Sequence, residues 1–264
     1  MAKIGLDNFL YGILTEQVGG PVYGTAKKPG KAITCNVAIT NNSAMLYADN
    51  GLAESDTSFQ SGTVTIGLDK DDVATQAELL GHDIDANGEI VRNSNDVAPY
   101  VGFGRVVAMI VGGVRKWKVE FLHKVKFGEP SQDDTTKGES IEFGTVEIEG
   151  VVATLEDGSW SKARIFDTYD AAKSYLEGIF SNTPITFTVT YNKGTGGGTA
   201  PAAATVNDGA TVTLPGIGSM TAPANKEFAG WAKTPNATEA QYAGGATFKP
   251  IDDTTLYAVW VATT

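Results

Sequence analysis

A mainly β protein with minor α content is the fold class that this sequence predicts. Three features carry the expectation. From Lys116 to Phe127 the chain alternates: Trp117, Val119, Phe121, His123, Val125 and Phe127 take one face, and Lys116, Lys118, Glu120, Lys124 and Lys126 take the other, with Leu122 out of phase. Period-two alternation of that length marks a half-buried antiparallel strand. The 31 glycines in 264 residues suit many tight turns. Only two segments read as helices.

The elements follow in chain order. Ala32-Ile33-Thr34-Cys35-Asn36-Val37 reads as a strand with Cys35 as a small buried residue. Asp71-Asp72 offers an N-cap to a helix over Val73–Leu80, which Gly81 stops. Val106–Val111 is an apolar run, and Gly112-Gly113 turns it into the alternating strand as a hairpin. Residues 128–140 have no apolar period and read as a long polar loop. A second helix starts near Asp167 and runs to Phe180, with Ala172, Tyr175, Leu176, Ile179 and Phe180 on one side. Residues 181–185, with Pro184, form a linker. The expected domains are 1–184 and 185–264.

Composition narrows the function classes. Residues 1–184 hold 16 Lys and Arg against 26 Asp and Glu, so they carry −10 of the net charge of −11. Such a chain repels phosphate backbones, which argues against sequence-specific DNA binding. With one cysteine, no intrachain disulfide can form. No apolar run reaches the length of a membrane-spanning helix. The residues after Met1 carry no apolar core of a secretory leader, which argues against a host-exported adhesin.

Motifs that could carry chemistry are sparse. Asp83-Ile84-Asp85-Ala86-Asn87-Gly88-Glu89-Ile90 matches the first half of a calcium loop, but the twelfth position is Ser94 where a bidentate glutamate belongs. The competing reading is a hairpin turning at Asn87-Gly88, and the missing ligand favours it. His82 and His123 are the two histidines, and His123 sits on an apolar strand face, as a packed structural histidine does. Gly102-Phe103-Gly104-Arg105 lacks the third glycine of a dinucleotide fingerprint. Glu147 and Glu149 share a strand face, either as a carboxylate pair or, more commonly, as a solvated surface. Neither a catalytic nor a cofactor or metal site is expected.

Several separated words carry a resemblance: Met1-Ala2-Lys3-Ile4-Gly5-Leu6-Asp7-Asn8-Phe9-Leu10-Tyr11-Gly12, Phe59-Gln60-Ser61-Gly62-Thr63-Val64-Thr65, Asn95–Gly104 and Thr135–Phe143. Residues 1–180 resemble the major tail protein, or tail tube protein, of long-tailed bacteriophages. The resemblance implies a β-sandwich or barrel flanked by a helix. It also implies hexameric rings stacked into the tube through which DNA is ejected, located in the virion tail after assembly in the host cytoplasm. Implied partners are copies of the chain, the tape measure, tail terminator and distal tail proteins, and DNA in transit. Candidates for the lumen or for ring contacts are Asp133, Asp134, Glu139, Glu142, Glu147 and Glu149. Lumen carboxylates would repel phosphates; the rival lining is Lys116, Lys118, Lys124 and Lys126, read here on one strand face.

The last third differs in kind. Thr186–Tyr191 alternates, a glycine-rich turn follows at Gly194–Gly198, and Phe228-Ala229-Gly230-Trp231 and Thr255–Trp260 close the pattern. This order resembles the Listeria–Bacteroides repeat, a small all-β surface module, here in a single copy. Its expected core is Tyr191, Val212, Phe228, Trp231, Phe248, Tyr257 and Trp260. The resemblance implies a decoration that aids weak adhesion to bacterial surface glycans. The alternatives to a structural virion protein are a cell-surface adhesin or carbohydrate-binding protein, and a carbohydrate-active enzyme with an accessory module.

Overall fold

The computed structural model describes residues 2–263 except 19, 49, 50, 71, 131–144 and 182. Two compact units divide the chain, residues 1–182 and 183–264. The molecule is mainly β with two short helices.

The first unit contains β1 (Ala2–Gln17), β2 (Gly20–Tyr23), β3 (Ala32–Ala48), β4 (Gly51–Leu68), α1 (Val73–Leu80), β5 (Asp83–Ile84), β6 (Ile90–Val91), β7 (Val101–Val111), β8 (Val114–Phe127), β9 (Val146–Ala153), β10 (Ser161–Phe166) and α2 (Tyr169–Phe180). One sheet runs in the order β2-β1-β7-β8-β9-β4-β3, and β10 joins it on β8. The β7–β8 hairpin turns at Gly112 and Gly113, with φ of 57° and 81°. Two successive left-handed residues match the twist of the flanking strands, and glycine adopts them without steric cost.

The sheet curls on itself. Cys35 on β3 lies four strands away from β7 in the sheet order, yet its sulfur accepts a hydrogen bond from Arg105 on β7 at 2.7 Å. The concave side encloses a core of Phe9, Tyr11, Val64, Ile66, Phe103, Leu122, Val125, Phe127, Ile148 and Val152. α1 inserts Leu79 and Leu80 into that core. Its ends are the anticipated ones: the Asp72 carboxylate accepts the Thr75 N–H, and Gly81 closes the helix at φ 77°. Cys35 is half-buried rather than fully buried, because it sits where the curled edge meets the Arg105 guanidinium.

α2 covers the opposite face of the sheet. It begins at Tyr169, with the Thr168 hydroxyl as N-cap, and buries Ala172, Tyr175, Leu176, Ile179 and Phe180. Phe180 meets the edges of Phe121 and Tyr23 at ring separations of 5.5 and 6.1 Å. The helix comes so close to β7 that a Cβ on Gly104 would stand 2.3 Å from a Leu176 methyl carbon.

The Asp83–Ile90 segment is a hairpin, as the competing reading held. β5 pairs with β6, and the Asp85 carboxylate accepts the Asn87 and Glu89 N–H groups at 2.9 and 2.8 Å.

The second unit holds β11 (Thr186–Asn192), β12 (Gly197–Gly198), β13 (Ala204–Asn207), β14 (Val212–Thr213), β15 (Met220–Thr221), β16 (Lys226–Ala232), β17 (Thr247–Phe248) and β18 (Thr254–Ala262). Its main sheet is β13-β11-β18-β16. The first and last strands lie side by side and parallel, from Val189 opposite Thr254 to Asn192 opposite Tyr257.

Leu176 is fully buried between α2 and the sheet. Leu176→Ala is expected to destabilise the first unit by about 2–5 kcal/mol, as a cavity-forming core substitution does. Urea unfolding checks this, and an unchanged midpoint would mean that α2 does not hold that face.

Candidate functional site

A single irregularity in β8 decides which groups meet at the surface. Phe103 pairs with Leu122 but Val101 pairs with Val125, so β8 spends one extra residue on that step. A β-bulge of this kind shifts the phase of everything beyond it. Phe121 and His123 therefore lie on the α2 side, while Leu122, Val125 and Phe127 enter the concave core. The expectation of one continuous apolar face from Trp117 to Phe127 is corrected here. So is the expectation that the four lysines share a face.

Lys116 and Lys118 precede the bulge and pair with Asp167 and Glu120. Lys124 and Lys126 follow it on the other side, over the Tyr100 ring at 4.6 and 5.5 Å, and Lys124 also bonds to Glu16. Register carries that face outward across three more strands. Lys126 is opposite Val151, in phase with Glu149 and Glu147, and these adjoin Thr63, Thr65 and Gly67 of β4 and then Ala38, Asn36 and Thr34 of β3. Glu147, Glu149 and Val151 are exposed. A shallow cleft bounded by Tyr100, Lys126, Glu149 and Val151 lies at one side of it. The face thus carries both signs of charge, neither a purely acidic lining nor a lysine one. Asp133, Asp134, Glu139 and Glu142, with most of the 128–140 loop, lie outside the described residues.

The second feature is a strand ribbon. β4 pairs with β9 only from Gly62 to Leu68, whereas β3 and β4 pair with each other from Ala32–Leu68 to Ala48–Gly51. Beyond Gly62, among the described residues, the two strands have only each other in the sheet. Residues Thr40–Met45 are exposed in succession, as are Ser55, Thr57, Ser58 and Gln60, so over these residues both faces of the ribbon meet solvent. Phe59 is anchored at its base, stacked on Trp160 at 5.0 Å. The sequence analysis did not single out this ribbon. Its signal was Asn50-Gly51, a hairpin-turn dipeptide between two long stretches without helical period.

Charged groups inside the curl are paired. Arg105, only 7% exposed, donates to Glu120, which Lys118 also reaches. Burial pushes the Glu120 carboxyl up, but Lys118 and Arg105 outweigh it and hold the group below the ordinary range. Burial pushes the Cys35 thiol up, and Arg105 offsets only part of that.

The histidines have opposite surroundings. His123 Nδ1 lies 2.9 Å from the Tyr23 hydroxyl, with the Phe121 ring edge-on at 5.4 Å. Burial lowers its pKa to about 4. His82 lies between two carboxylates, with Nδ1 2.6 Å from Asp96 and Nε2 against Glu129. Among the described residues, no group of three or more His, Cys, Asp or Glu side chains is disposed to hold a metal ion.

The second unit has its own core: Val189, Tyr191, Val206, Leu214, Met220, Trp231, Phe248, Leu256, Ala258 and Trp260, with Val212 and Phe228 partly buried against it. Trp231 is fully buried, and its indole donates to the Pro215 carbonyl at 2.7 Å. Trp260 donates to the Lys193 carbonyl at 2.9 Å, which fastens the glycine-rich turn. Tyr257, expected in the core, is half-buried and one residue out of phase with Leu256, Ala258 and Trp260, so it takes the other face.

That geometry defines a small all-β module closed by two tryptophans. Residues 187–259 match the family model of the Listeria-Bacteroides repeat domain. A comparison of the chain with curated proteins found no match.

His123 is expected to titrate near pH 4, two-dimensional NMR of the imidazole nitrogens being the check. The unfolded chain takes up that proton near pH 6.5 and the folded chain does not. Stability contributed by neutral His123 is therefore present above pH 6.5 and is lost as the pH falls towards 4. A midpoint near 6.5 would contradict the packing described for this ring.

Proposed function

We propose that the chain is a structural virion protein, the major tail tube subunit of a long-tailed bacteriophage. In this reading hexameric rings stack into a conduit for DNA, and the role is structural rather than catalytic. The carrying observation is the β3–β4 ribbon. An isolated two-stranded ribbon is marginally stable in water at best, because it has no face to bury. Exposed strand edges are templates for pairing with another chain. A ribbon exposed on both faces therefore suits a segment that acquires its partners on assembly with copies of the chain. The sequence words that resemble tail proteins support the same role.

The charge pattern fits DNA transit. The first 184 residues carry −10, so the subunit as a whole repels phosphates. The mixed face bearing Lys124, Lys126, Glu147 and Glu149 offers no uniform cationic surface to hold them. Partners of the assembled tube would be the tape measure, tail terminator and distal tail proteins. The repeat module would be displayed for weak contact with bacterial surface glycans, and several copies per ring would multiply a weak contact.

A second reading is favoured by the family match of residues 187–259 alone: a surface adhesin or carbohydrate-binding protein whose first unit is a scaffold. The two differ in assembly state. As a tail tube subunit, the full chain and residues 1–182 are expected to form rings or tubes at high concentration, seen by electron microscopy and sedimentation. Replacing residues 43–57 with an Asn-Gly turn, which keeps Phe59 on Trp160, should abolish them while leaving the urea unfolding midpoint nearly unchanged. A monomer at all concentrations, combined with glycan binding by residues 183–264, would decide for the second reading.

Assembled tubes are also expected to bind duplex DNA weakly even at low salt, where electrostatic binding is strongest. Filter binding at low and moderate ionic strength measures this, and tight salt-sensitive retention would overturn the transit role.

A further inference from the structure

We propose that His82 is a protonation-dependent clamp that fastens Glu129 to the turn at Asn93–Asp96 and the C-terminal end of α1. A neutral imidazole has one N–H and one bare nitrogen, and only the imidazolium has two donors. Both ring nitrogens of His82 face carboxylate oxygens, which can only accept: Asp96 on Nδ1 at 2.6 Å and Glu129 on Nε2. The geometry therefore requires the doubly protonated ring. The His82 side chain is 6% exposed, so its ring is shielded from water and its contact with Asp96 more so than that with Glu129.

The two carboxylates are not held equally. Asp96 also accepts the Asn93 N–H at 2.8 Å and is 16% exposed, whereas Glu129 is 53% exposed. When the ring gives its proton to solvent, the remaining N–H stays with Asp96, and Glu129 loses its donor. What is left to Glu129 is Arg92, whose Nε lies 3.7 Å away. Other charged groups nearby are engaged elsewhere or solvated. Glu78 of α1 is bound by Lys27 at 2.6 Å and by the Tyr11 hydroxyl at 2.7 Å. Lys28 and Asp72 line the same shallow cavity as His82, and Asp83 is exposed. The hydrogen bond to Asp96, and then Glu129, raises the His82 pKa against its burial. The sign follows: the clamp holds in full below about pH 6.5 and opens as the pH rises through the higher folded-state value.

The full chain has two histidines, so imidazole NMR reads each without ambiguity. The expected result is a His82 midpoint above 6.5 with both ring nitrogens protonated below it. Hydrogen exchange of the peptide containing Gly128 and Glu129 should accelerate severalfold across that same midpoint. Glu129→Gln alters an exposed group, so folding is not at risk. It should lower the His82 midpoint and raise exchange at low pH to the high-pH level. His82→Gln should make the exchange independent of pH. A His82 midpoint at or below 6.5, or exchange unchanged across it in the wild-type chain, overturns the clamp.

Discussion

The bulge in β8 is the constraint on which the first unit depends. Among the described residues β8 is the one strand with three partners: β7 along one side, and β10 then β9 along the other. Before the bulge its apolar side chains serve α2, Leu122 excepted, and after it they serve the concave core. Without the extra residue Val125 and Phe127 would turn outward, and Lys124 and Lys126 would turn into the core. Burying two unpaired ammonium groups costs far more than the sheet hydrogen bonding lost at one bulge. The same step places Lys124 beside Glu16 and brings Lys126 to the cleft that Glu149 lines.

Curling of the sheet follows from the same need to bury apolar surface on one side. The sheet is too wide for one eight-residue helix to cover its concave side, so its far edge closes much of the gap. Where β3 approaches β7, the contact is polar: a guanidinium, a thiol, a carboxylate and an ammonium satisfy one another. Removing one member would leave a nearly buried charge unpaired, so such a network fixes the geometry more than it adds stability.

The route from packing to role runs through what the core leaves out. β3 and β4 continue past Gly62, where pairing with β9 ends, and their described side chains there, Met45 included, meet solvent. A ribbon so exposed is not packed onto its own unit. Assembly is the setting in which such strands acquire neighbours, which ties the ribbon to the proposed tube. The repeat module needs no such help, because Trp231 and Trp260 each bury a ring and satisfy the indole N–H on a backbone carbonyl.

Local features were legible in the sequence, for local reasons. Both helices, with the Asp72 cap, the Gly81 stop and the Ala172–Phe180 stripe, follow from residues within a turn or two of each other. The Gly112-Gly113 hairpin and the Asp83–Ile90 hairpin are equally short-range. His123 read as a packed residue because its neighbours at i±2 are apolar. Other features depend on pairing over long separations, and only the tertiary structure decided them. The phase change within β8 is set by its register with β7, so the division of the four lysines between two faces was invisible in a pattern that continues unbroken but for Leu122. Tyr257 and Leu256 are both large and apolar, and only the parallel pairing of β18 with β11 selects which one enters the core. His82 and Glu129 are 47 residues apart, and no spacing rule joins them. Periodicity reports which side of its own strand a side chain takes, whereas contacts between distant strands are chosen by the closure of the whole sheet.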